Sequence, residues 1–450
     1  MGKLFGTDGI RGIANTYPMD VETAAAVGKA IVHFFSESSD GSGKHVLIGQ
    51  DTRSSGDMLA QAVAAGACAA GADVWMLGVL PTPGVAHLAR TAHAMAAIII
   101  SASHNPYEDN GIKVFNADGY KLSDDAESAI EALIIEAGKI PKAGSRDIGR
   151  VKMVSDAKDR YLAFLQKASK LKSLSHLSLI LDCANGATSQ VAPELFGQLR
   201  THALATFCSP NGFNINDQCG SQYPKKLAQA VVSQKADAGL AFDGDGDRLI
   251  AVDETGHILT GDQIMAICAK DMLEKDLLKD NVVVSTVMSN MGLGLALNKL
   301  GITLHMTQVG DRNVMEKMRR EGAVLGGEDS GHLIFRDVHT TGDGLVAAIK
   351  LLEAMCSSGK PLSELSRVMT VFPQELINVD VKMKPEIESI PEIMQAIAAI
   401  EKSLDGRGRV LVRYSGTQNK CRIMVEGPTP ELTHASCVQL ADAVRRVIGV

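Results

Sequence analysis

The stretch Asp243-Gly244-Asp245-Gly246-Asp247-Arg248 stands between the apolar runs Ala238–Phe242 and Leu249–Val252. Two such runs around a glycine-rich turn predict two strands joined by a tight loop. Three carboxylates at alternate positions can direct their oxygens to one point, and such oxygens suit a hard cation, Mg²⁺ in particular when phosphate is nearby. The adjacent guanidinium can hold a phosphoryl oxygen in bidentate fashion. The stretch therefore predicts a metal ion and a phosphate beside the end of a strand.

Two other interpretations fit this loop less well. Its acidic positions match an EF-hand calcium loop, but Arg248 stands where the sharp turn of that loop needs glycine. The flanks also predict strands, whereas an EF-hand needs helices. The second alternative is an ordinary solvated acidic turn, which is disfavoured because three alternating aspartates would repel one another without a cation.

Length and composition set the class of protein. A chain of 450 residues is too long for one core and predicts several domains. The hydrophobic fraction of 45% and the charged fraction of 22% are typical of a globular protein. The formal net charge of −7 provides no broad basic field, so we expect no nucleic-acid partner.

The cysteine pattern and the hydropathy of the chain indicate in which cellular compartment the protein is expected. The eight cysteines are scattered, without the Cys-x-x-Cys or Cys/His spacing of a metal site. The first residues lack the apolar core of a signal peptide. The longest apolar run, Ala94–Ile100, is far shorter than the ~20 residues that span a bilayer. We therefore expect reduced thiols, a cytoplasmic location and no membrane partner.

Apolar runs alternate with helical patterns along the chain, which favours α/β units. Open α/β sheets bind ligands at the carboxyl ends of their strands. Three turns that follow strands carry reactive side chains: Ser101–Pro106, Asp243–Arg248 and Gly326–His332. The predicted strands are Val46–Ile48, Ile98–Ile100, Leu179–Leu181, Ala238–Phe242, Val282–Val284 and Ala323–Leu325.

The clearest helical pattern covers Asp124–Ala137. Asp124 and Glu127 have the spacing of a capping box, and Gly138 supplies a stop. We interpret this helix as scaffold and not as part of a site.

Changes of pattern predict four domains. Their predicted bounds are residues 1–155, 156–254, 255–367 and 368–450. The last domain contains the strand-like Ile377–Val381 and ends in a helical pattern, Glu431–Val447, which together predict a small α+β domain.

The turn Ser101-Ala102-Ser103-His104-Asn105-Pro106 follows a predicted buried strand. We expect a serine there to be exposed and free of sheet hydrogen bonds, with His104 able to orient it or to contact a phosphoryl oxygen. No Gly-x-Ser-x-Gly elbow surrounds it, which disfavours an α/β-hydrolase. An ordinary polar turn is the alternative.

Two further loops carry groups suited to a sugar phosphate. In Gly326–His332, Glu328 and Ser330 could hydrogen-bond sugar hydroxyls, and a loop without a ligand is the alternative. Arg413–Thr417, with Arg422 further along, combines guanidinium, hydroxyl and backbone N–H groups in a predicted anion-binding nest. A polar hairpin is the alternative there.

The start Phe5–Gly12 is also glycine-rich and carries Arg11, but it lacks the Gly-Lys-Ser/Thr of a Walker loop. These five stretches, in this order, resemble the α-D-phosphohexomutase superfamily, and Phe5–Gly12 is similar to its branch that acts on glucosamine phosphates. The resemblance covers essentially the whole chain. Further matching stretches are Asp182–Ala187, Met288–Asn290 and Val309–Arg312.

The resemblance implies an α/β fold of three related mixed α/β domains plus a smaller C-terminal α+β domain around a central cleft. It implies an isomerase that interconverts glucosamine 6-phosphate and glucosamine 1-phosphate through a phosphoserine and a 1,6-bisphosphate, feeding UDP-N-acetylglucosamine and peptidoglycan synthesis. The implied roles are Ser103, Asp243, Asp245 and Asp247 for Mg²⁺; Ser103, Arg11, His104, Lys113, Arg248 and His332 for catalysis; Glu328 and Ser330 for the sugar; and Arg413, Ser415, Gly416, Thr417 and Arg422 for the phosphate that does not react. Lys113 and His332 are the implied candidates for acid/base work.

The implied activator is glucosamine 1,6-bisphosphate or glucose 1,6-bisphosphate, and an activating kinase or autophosphorylation would first phosphorylate Ser103. A homodimer is also implied. The chain departs from the superfamily pattern at Tyr414, Gln418 and Asp329, where proline, glutamate and glutamine are commoner. Two alternatives stay open: a phosphomannomutase/phosphoglucomutase of broad specificity and a non-catalytic sugar-phosphate binding protein.

Overall fold

The computed structural model describes residues 4–6, 8–37, 43–171, 173–415 and 419–450. The chain divides into two compact units. The first comprises Met1–Val287 with Ile302–Arg367, and the second comprises Met288–Gly301 with Val368–Val450. The first unit contains three mixed sheets flanked by helices and the second contains one small antiparallel sheet, which confirms the predicted fold class.

The first sheet has seven strands in the order β1-β2-β6-β5-β3-β4-β7. Its central strands are parallel, whereas β5 and β6 are antiparallel. Every residue of β5 is buried, and the strand leads directly into Ser101. The strands are β1 (Phe5–Gly6), β2 (Gly9–Ile13), β3 (His45–Gln50), β4 (Asp73–Val79), β5 (Ala96–Ile100), β6 (Asp109–Asn116) and β7 (Val151–Met153), and the helices are α1 (Val21–Glu37), α2 (Gly56–Ala69), α3 (Thr82–Thr91) and α4 (Asp124–Ile135).

The second sheet has five strands in the order β12-β11-β10-β8-β9. Strands β10 and β11 form an antiparallel pair in which Phe242 lies opposite Leu249, so residues 243–248 are the connecting loop, as predicted. The elements are β8 (Ser178–Asp182), β9 (His202–Thr206), β10 (Ala238–Phe242), β11 (Leu249–Asp253), β12 (Ile258–Leu259), α5 (Ala157–Ala168), α6 (Thr188–Gln198) and α7 (Lys225–Gln234).

The third sheet has four strands in the order β14-β13-β15-β16. The strand predicted at Ala323–Leu325 begins only at Leu325 and continues to Gly327, because the backbone pairs with the parallel neighbour from Leu325 onward. The elements are α8 (Gly261–Glu274), β13 (Val282–Thr286), β14 (Thr303–Thr307), α10 (Asp311–Glu321), β15 (Leu325–Gly327), β16 (Leu333–Phe335), α11 (Gly344–Ser358) and α12 (Leu362–Leu365), with short 3₁₀ turns at Lys279–Asn281 and Ser366–Val368. Helix α9 (Met291–Lys299) lies between β13 and β14 in the sequence but belongs to the second unit.

The C-terminal sheet is antiparallel, in the order β17-β19-β18, and two long helices accompany it. Its core buries aliphatic side chains such as Ile423 and Leu440. The predicted strand and terminal helix of a small α+β domain are confirmed. The elements are β17 (Gln374–Asp380), α13 (Pro391–Leu404), β18 (Arg409–Tyr414), β19 (Lys420–Glu426) and α14 (Pro430–Ile448), with a 3₁₀ turn at Ile387–Ser389.

The predicted capping box of α4 is wrong. Ser123 is the N-cap residue, and its hydroxyl accepts a hydrogen bond from the N–H of Ala126. Glu127 instead accepts a hydrogen bond from Arg312, a residue at the start of α10. The helix ends at Ile135, two residues before the predicted end at Ala137. The helix also anchors Arg312 at the start of α10, which is a structural contact and leaves the interpretation of the helix as scaffold in place.

Among the described residues, no helix combines the length and the apolar character that crossing a membrane requires.

Candidate active site

Ser103 lies at the carboxyl end of β5, in contact with the acidic loop. Its side chain is 1% exposed, so the expectation of an exposed serine is wrong. The hydroxyl donates a hydrogen bond to Oδ2 of Asp243 at 2.6 Å, and it lies 3.3 Å from Nδ1 of His104. Serine loop and acidic loop, far apart in sequence, thus meet through a direct contact between their functional groups.

The two glycines of the acidic loop allow this contact for different reasons. A Cβ atom on Gly244 would lie 2.5 Å from the carbonyl oxygen of Ser103, so only glycine permits the serine loop to approach so closely. Gly246 has a φ of +74°, a left-handed conformation that residues with side chains rarely adopt. The alternation of aspartate and glycine is therefore a steric requirement of the site.

The three aspartates of the loop converge, as predicted. One oxygen from each of Asp243, Asp245 and Asp247 lies within 4.8 Å of the others, and all three residues are buried. Oδ1 of Asp245 and Oδ1 of Asp247 are buried without a hydrogen-bond partner among the described residues. Buried carboxylate oxygens without partners are costly unless a cation receives them. The donor set thus fits a hard divalent ion such as Mg²⁺.

Lys113 is the main positive charge on this carboxylate cluster. Its ammonium group lies 2.8 Å from Asp245, 3.2 Å from Asp8 and 3.7 Å from Asp247. Burial lowers the pKa of Lys113, but these carboxylates outweigh it and raise the pKa well above its ordinary value. The lysine is thus held in its charged form beside the serine.

Asp243 and Asp247 differ in the direction of their pKa shifts. Burial, followed by the charges of Asp247 and Asp245, raises the pKa of Asp243. For Asp247, burial acts in the same direction, but Lys113 and His332 outweigh it and hold its pKa below the ordinary range. The negative charge therefore concentrates away from the carboxyl that accepts the Ser103 hydrogen bond.

A chain of charged groups extends from this cluster into the third sheet. His332 places Nδ1 3.5 Å from Asp247 and Nε2 3.6 Å from Asp311. Burial lowers the pKa of His332, but the two carboxylates outweigh it and the net pKa is raised. Lys121 then joins Asp311 to Asp8, which itself contacts Lys113. The chain thereby links groups from all three sheets of the first unit.

Sequence reasoning singled out Lys113, Asp247 and His332 in this chain but missed Asp8, Asp311 and Lys121. Asp8 and Asp311 lie inside stretches that carried the family resemblance, so their position was a usable signal. Lys121 had no such signal, because it follows an ordinary turn and becomes notable only through its two carboxylate partners.

Two arginines also lie near the serine loop. Arg11 donates to the carbonyl oxygen of Ala102 at 3.3 Å and forms an ion pair with Asp8. Burial, and then the charges of Arg248 and Arg11, lower the pKa of His104 to about 4. The imidazole is therefore neutral near pH 7, and the two guanidinium groups that act on it are of the type that binds phosphoryl oxygens.

The predicted sugar loop forms the turn between β15 and β16. Oε1 of Glu328 accepts a hydrogen bond from the N–H of Gly310 at 2.9 Å. Ser330 has a buried hydroxyl without a partner among the described residues. Oδ1 of Asp329 accepts the N–H of Asp262 at 3.4 Å. The departure at Asp329 thus serves a backbone contact at the start of α8.

The predicted phosphate-binding residues lie in the second unit. Arg413 on β18 lies directly opposite Arg422 on β19. Burial, and then the charge of Arg422, lower the pKa of Arg413. Neither side chain has an ion-pair partner in the described part of the chain, and Nε of each is buried without a hydrogen bond. Like charges opposite each other in a sheet are destabilising, so this pair is suited to receive an anion.

Ser415 is buried beside this pair, and its N–H donates to the carbonyl oxygen of Lys420 at 2.8 Å. Gly416 and Thr417, predicted to complete the nest, lie outside the described residues, as does Gln418.

Comparison with known proteins identifies the family. Models of the phosphoglucomutase/phosphomannomutase family match four successive segments: domain I at residues 2–140, domain II at 159–256, domain III at 260–372 and the C-terminal domain at 376–443. The chain belongs to this phosphohexomutase family. Phosphohexomutases similar to it along the full length include the phosphoglucosamine mutases of Syntrophus aciditrophicus, 53% identical, and Syntrophobacter fumaroxidans, 52% identical, with 100% of each chain covered.

Solved phosphohexomutase structures share the fold. A phosphoglucomutase/phosphomannomutase family protein from Burkholderia thailandensis aligns with a TM-score of 0.82 at 23% identity, covering 99% of this chain and 97% of its own. The N-acetylphosphoglucosamine mutase of Aspergillus fumigatus, solved with GlcNAc-6P and magnesium, aligns with a TM-score of 0.71 at 18% identity, covering 98% of this chain and 95% of its own. The chain is thus a phosphohexomutase, an isomerase whose similar relatives are phosphoglucosamine mutases.

Proposed function

We propose that this enzyme interconverts glucosamine 6-phosphate and glucosamine 1-phosphate, with Ser103 as the residue that carries the phosphoryl group. The observation that supports the serine is its 2.6 Å contact with Asp243 inside a buried carboxylate cluster beside Arg11 and Arg248. The choice of sugar rests on the full-length identity to phosphoglucosamine mutases. The product would feed UDP-N-acetylglucosamine and peptidoglycan synthesis.

The reaction consists of two phosphoryl transfers. In the first, the bond between phosphorus and Oγ of phosphorylated Ser103 breaks while a bond forms to the free hydroxyl of the sugar phosphate, which gives up its proton. The resulting 1,6-bisphosphate turns around, and its other phosphoryl group returns to Ser103 while a proton restores the sugar hydroxyl. Phosphoryl transfer depends mainly on positioning and on charge stabilisation, and Arg11, His104 and Arg248 would surround the transferred group.

Ser103 phosphate and the three aspartates would hold Mg²⁺, which supplies stabilisation of the charge that develops on the transferred group. Lys113 and His332 are the proposed groups for proton transfer at the sugar hydroxyl. Their support is position, because both lie within 4 Å of Asp247 beside the serine.

Substrate recognition is divided between two loops. Glu328 and Ser330 would hydrogen-bond the sugar hydroxyls, since both offer oxygens on the loop next to His332. Arg413, Ser415 and Arg422, with Gly416 and Thr417, would bind the phosphate that is not transferred, because two facing arginines lack any protein counter-charge among the described residues. Glucosamine 1,6-bisphosphate or glucose 1,6-bisphosphate would act as activator, restoring the phosphoserine whenever it is lost.

A coupled mutase assay tests this proposal. It contains glucosamine 6-phosphate, Mg²⁺ and a catalytic amount of the 1,6-bisphosphate, with glucose and mannose phosphates as competing substrates. Ser103→Ala is compared with wild type and with Ser145→Ala, a matched change at an exposed serine. We expect turnover in wild type and Ser145→Ala only, with glucosamine phosphate preferred.

Each other outcome has a defined meaning. Preferred turnover of glucose or mannose phosphate would overturn the choice of substrate while keeping the mechanism. Near-native turnover by Ser103→Ala would overturn the covalent step. A folded, Mg²⁺-loaded wild type without turnover on any of these sugars would contradict the proposal and support a sugar-phosphate binding protein.

A further inference from the structure

The backbone of Ser103 is held in an unusual conformation. Its φ is +53°, in the left-handed region that non-glycine residues seldom occupy and that costs on the order of 1–3 kcal/mol. Such a conformation persists only where the surrounding structure imposes it. The hydrogen bonds to the carbonyl oxygens of the serine loop identify the side chains that impose it.

Two carbonyl oxygens of the loop are each held by the same pair of side chains. The Ser103 carbonyl accepts Nη2 of Arg53 at 3.0 Å and Nδ2 of Asn216 at 2.9 Å. The Asn105 carbonyl accepts the same two nitrogens at 2.8 and 3.0 Å. Arg53 is itself fixed by Asp51, at 2.9 Å, with both side chains fully buried.

The two side chains come from different sheets. Arg53 follows β3 of the first sheet, whereas Asn216 lies on the loop between β9 and α7 of the second. The N–H of Asn216 donates to the carbonyl of Ala184 at 2.9 Å. From the same turn, the N–H of Ala187 donates to the carbonyl of Gly244 at 2.8 Å. Asn216 therefore connects the serine loop to the turn that supports the acidic loop.

We propose that Asn216 is a positioning residue for phosphoryl transfer: with Arg53, it holds the Ser103 loop in its left-handed conformation and aligns Oγ with the aspartate cluster. The inference rests on the proposed role of Ser103. The side-chain amide of Asn216 uses both of its N–H groups on the two loop carbonyls. Asn216 also has a left-handed backbone, with a φ of +58°, which asparagine tolerates better than most residues.

Two variants of the full-length enzyme remove this contact without adding backbone strain. Asn216→Gly keeps the left-handed backbone and deletes the amide. Asn216→Asp keeps the shape but places a carboxylate oxygen against two carbonyl oxygens. The matched control is Gln218→Gly, at an exposed position of the same loop with a φ of +52°. Measured quantities are kcat, KM, the thermal midpoint, and the fraction of phosphoryl groups that the phosphoenzyme loses to water instead of to the sugar.

We expect kcat of Asn216→Gly to fall about 10–100-fold, as for lost supporting contacts and small misplacements of reacting groups. KM should stay within about twofold because the residue does not touch the sugar. The fraction lost to water should rise, Asn216→Asp should lose more activity than Asn216→Gly, and Gln218→Gly should match wild type.

Wild-type kcat in both Asn216 variants would overturn the inference, as would an activity loss fully explained by a smaller folded fraction. Failure of the proposed function is distinguishable, because wild type and Gln218→Gly would then also lack mutase turnover. If these two turn over, Ser103→Ala does not, and the Asn216 variants keep full activity, only the positioning role is wrong.

Discussion

Gly244→Ala is the most direct test of how closely the serine and acidic loops must approach. The added Cβ would lie 2.5 Å from the carbonyl oxygen of Ser103 and 2.8 Å from Nδ2 of Asn216. Ordinary contact begins at 3.4 Å, so the loops must separate by 3.4 − 2.5, about 0.9 Å. Gly244 has no left-handed φ, so the substitution tests space alone.

A separation of this size has a calculable effect. It is about a third of the 2.6 Å distance between the Ser103 hydroxyl and Asp243, so this hydrogen bond could not persist unchanged. Misplacement of reacting groups by 1 Å costs on the order of 100-fold in rate, and overpacking costs about 1–3 kcal/mol of stability. We therefore expect kcat to fall about 100-fold while most of the protein remains folded.

The assay is the coupled mutase reaction, run beside thermal unfolding. Gly197→Ala is the matched control, because a Cβ there meets nothing within 4 Å at the end of α6. It should keep full activity. Wild-type kcat in a folded Gly244→Ala enzyme would refute the reasoning, because the loops would then have to adjust without affecting transfer.

Three further predictions concern charge. His339 donates Nε2–H to Pro83 and accepts the N–H of Thr340, and burial lowers its pKa to about 3, below the ordinary unfolded value. The contribution of His339 to the free energy of unfolding is therefore fully present above about pH 6.5 and decreases as the pH falls, by about 2 kcal/mol at pH 5. Denaturation at pH 7 and at pH 5 should show that His339→Gln lacks this pH-dependent contribution. Arg422→Gln should raise KM for the sugar phosphate about 10–100-fold, since a hydrogen bond to a charged group contributes about 1.5–3 kcal/mol, and should not lower the thermal midpoint, because repulsion from Arg413 is relieved. Chelation of divalent ions should stop turnover reversibly and lower the thermal midpoint, because Oδ1 of Asp245 and Oδ1 of Asp247 have no hydrogen-bond partner among the described residues and would lose the cation that receives them.

Controls make these predictions decisive. His33→Gln, at a partly exposed histidine, should keep the wild-type pH dependence, and an unchanged pH dependence in His339→Gln would contradict the first prediction. Arg407→Gln, at an exposed arginine, should leave KM unaltered, and an unaltered KM in Arg422→Gln would contradict the second. Turnover that survives chelation, or a thermal midpoint that chelation leaves unchanged, would contradict the third.

Local sequence predicted those parts of the site that one stretch of chain encodes. The hairpin around the acidic loop followed from two apolar runs and a glycine-rich turn, and the convergence of its aspartates followed from alternation. The two arginines of the predicted anion nest, Arg413 and Arg422, were also named from the sequence, although their antiparallel register came only from the structure.

Features that depend on two distant segments were not predictable in this way. The burial of Ser103 arises because Gly244, 141 positions later in the chain, packs against its carbonyl. The capping box at Asp124 was a local pattern that Ser123 satisfied better, which freed Glu127 to pair with Arg312. Asp51 and Arg53 follow a predicted strand, so the strand-end rule could have found them, whereas Asn216 carried no signal.

The hydrogen bonds from two sheets to the Ser103 loop have a consequence for recombination between related proteins and for protein engineering. Because Arg53 and Asn216 hold the same two carbonyl groups from different sheets, the geometry of Ser103, the proposed nucleophile, is set by neither sheet alone. A chimera that joins the first sheet of one phosphohexomutase to the second sheet of another would preserve every active-site side chain and could still misalign the serine. Recombination between these proteins should therefore succeed most often when both loops come from the same parent.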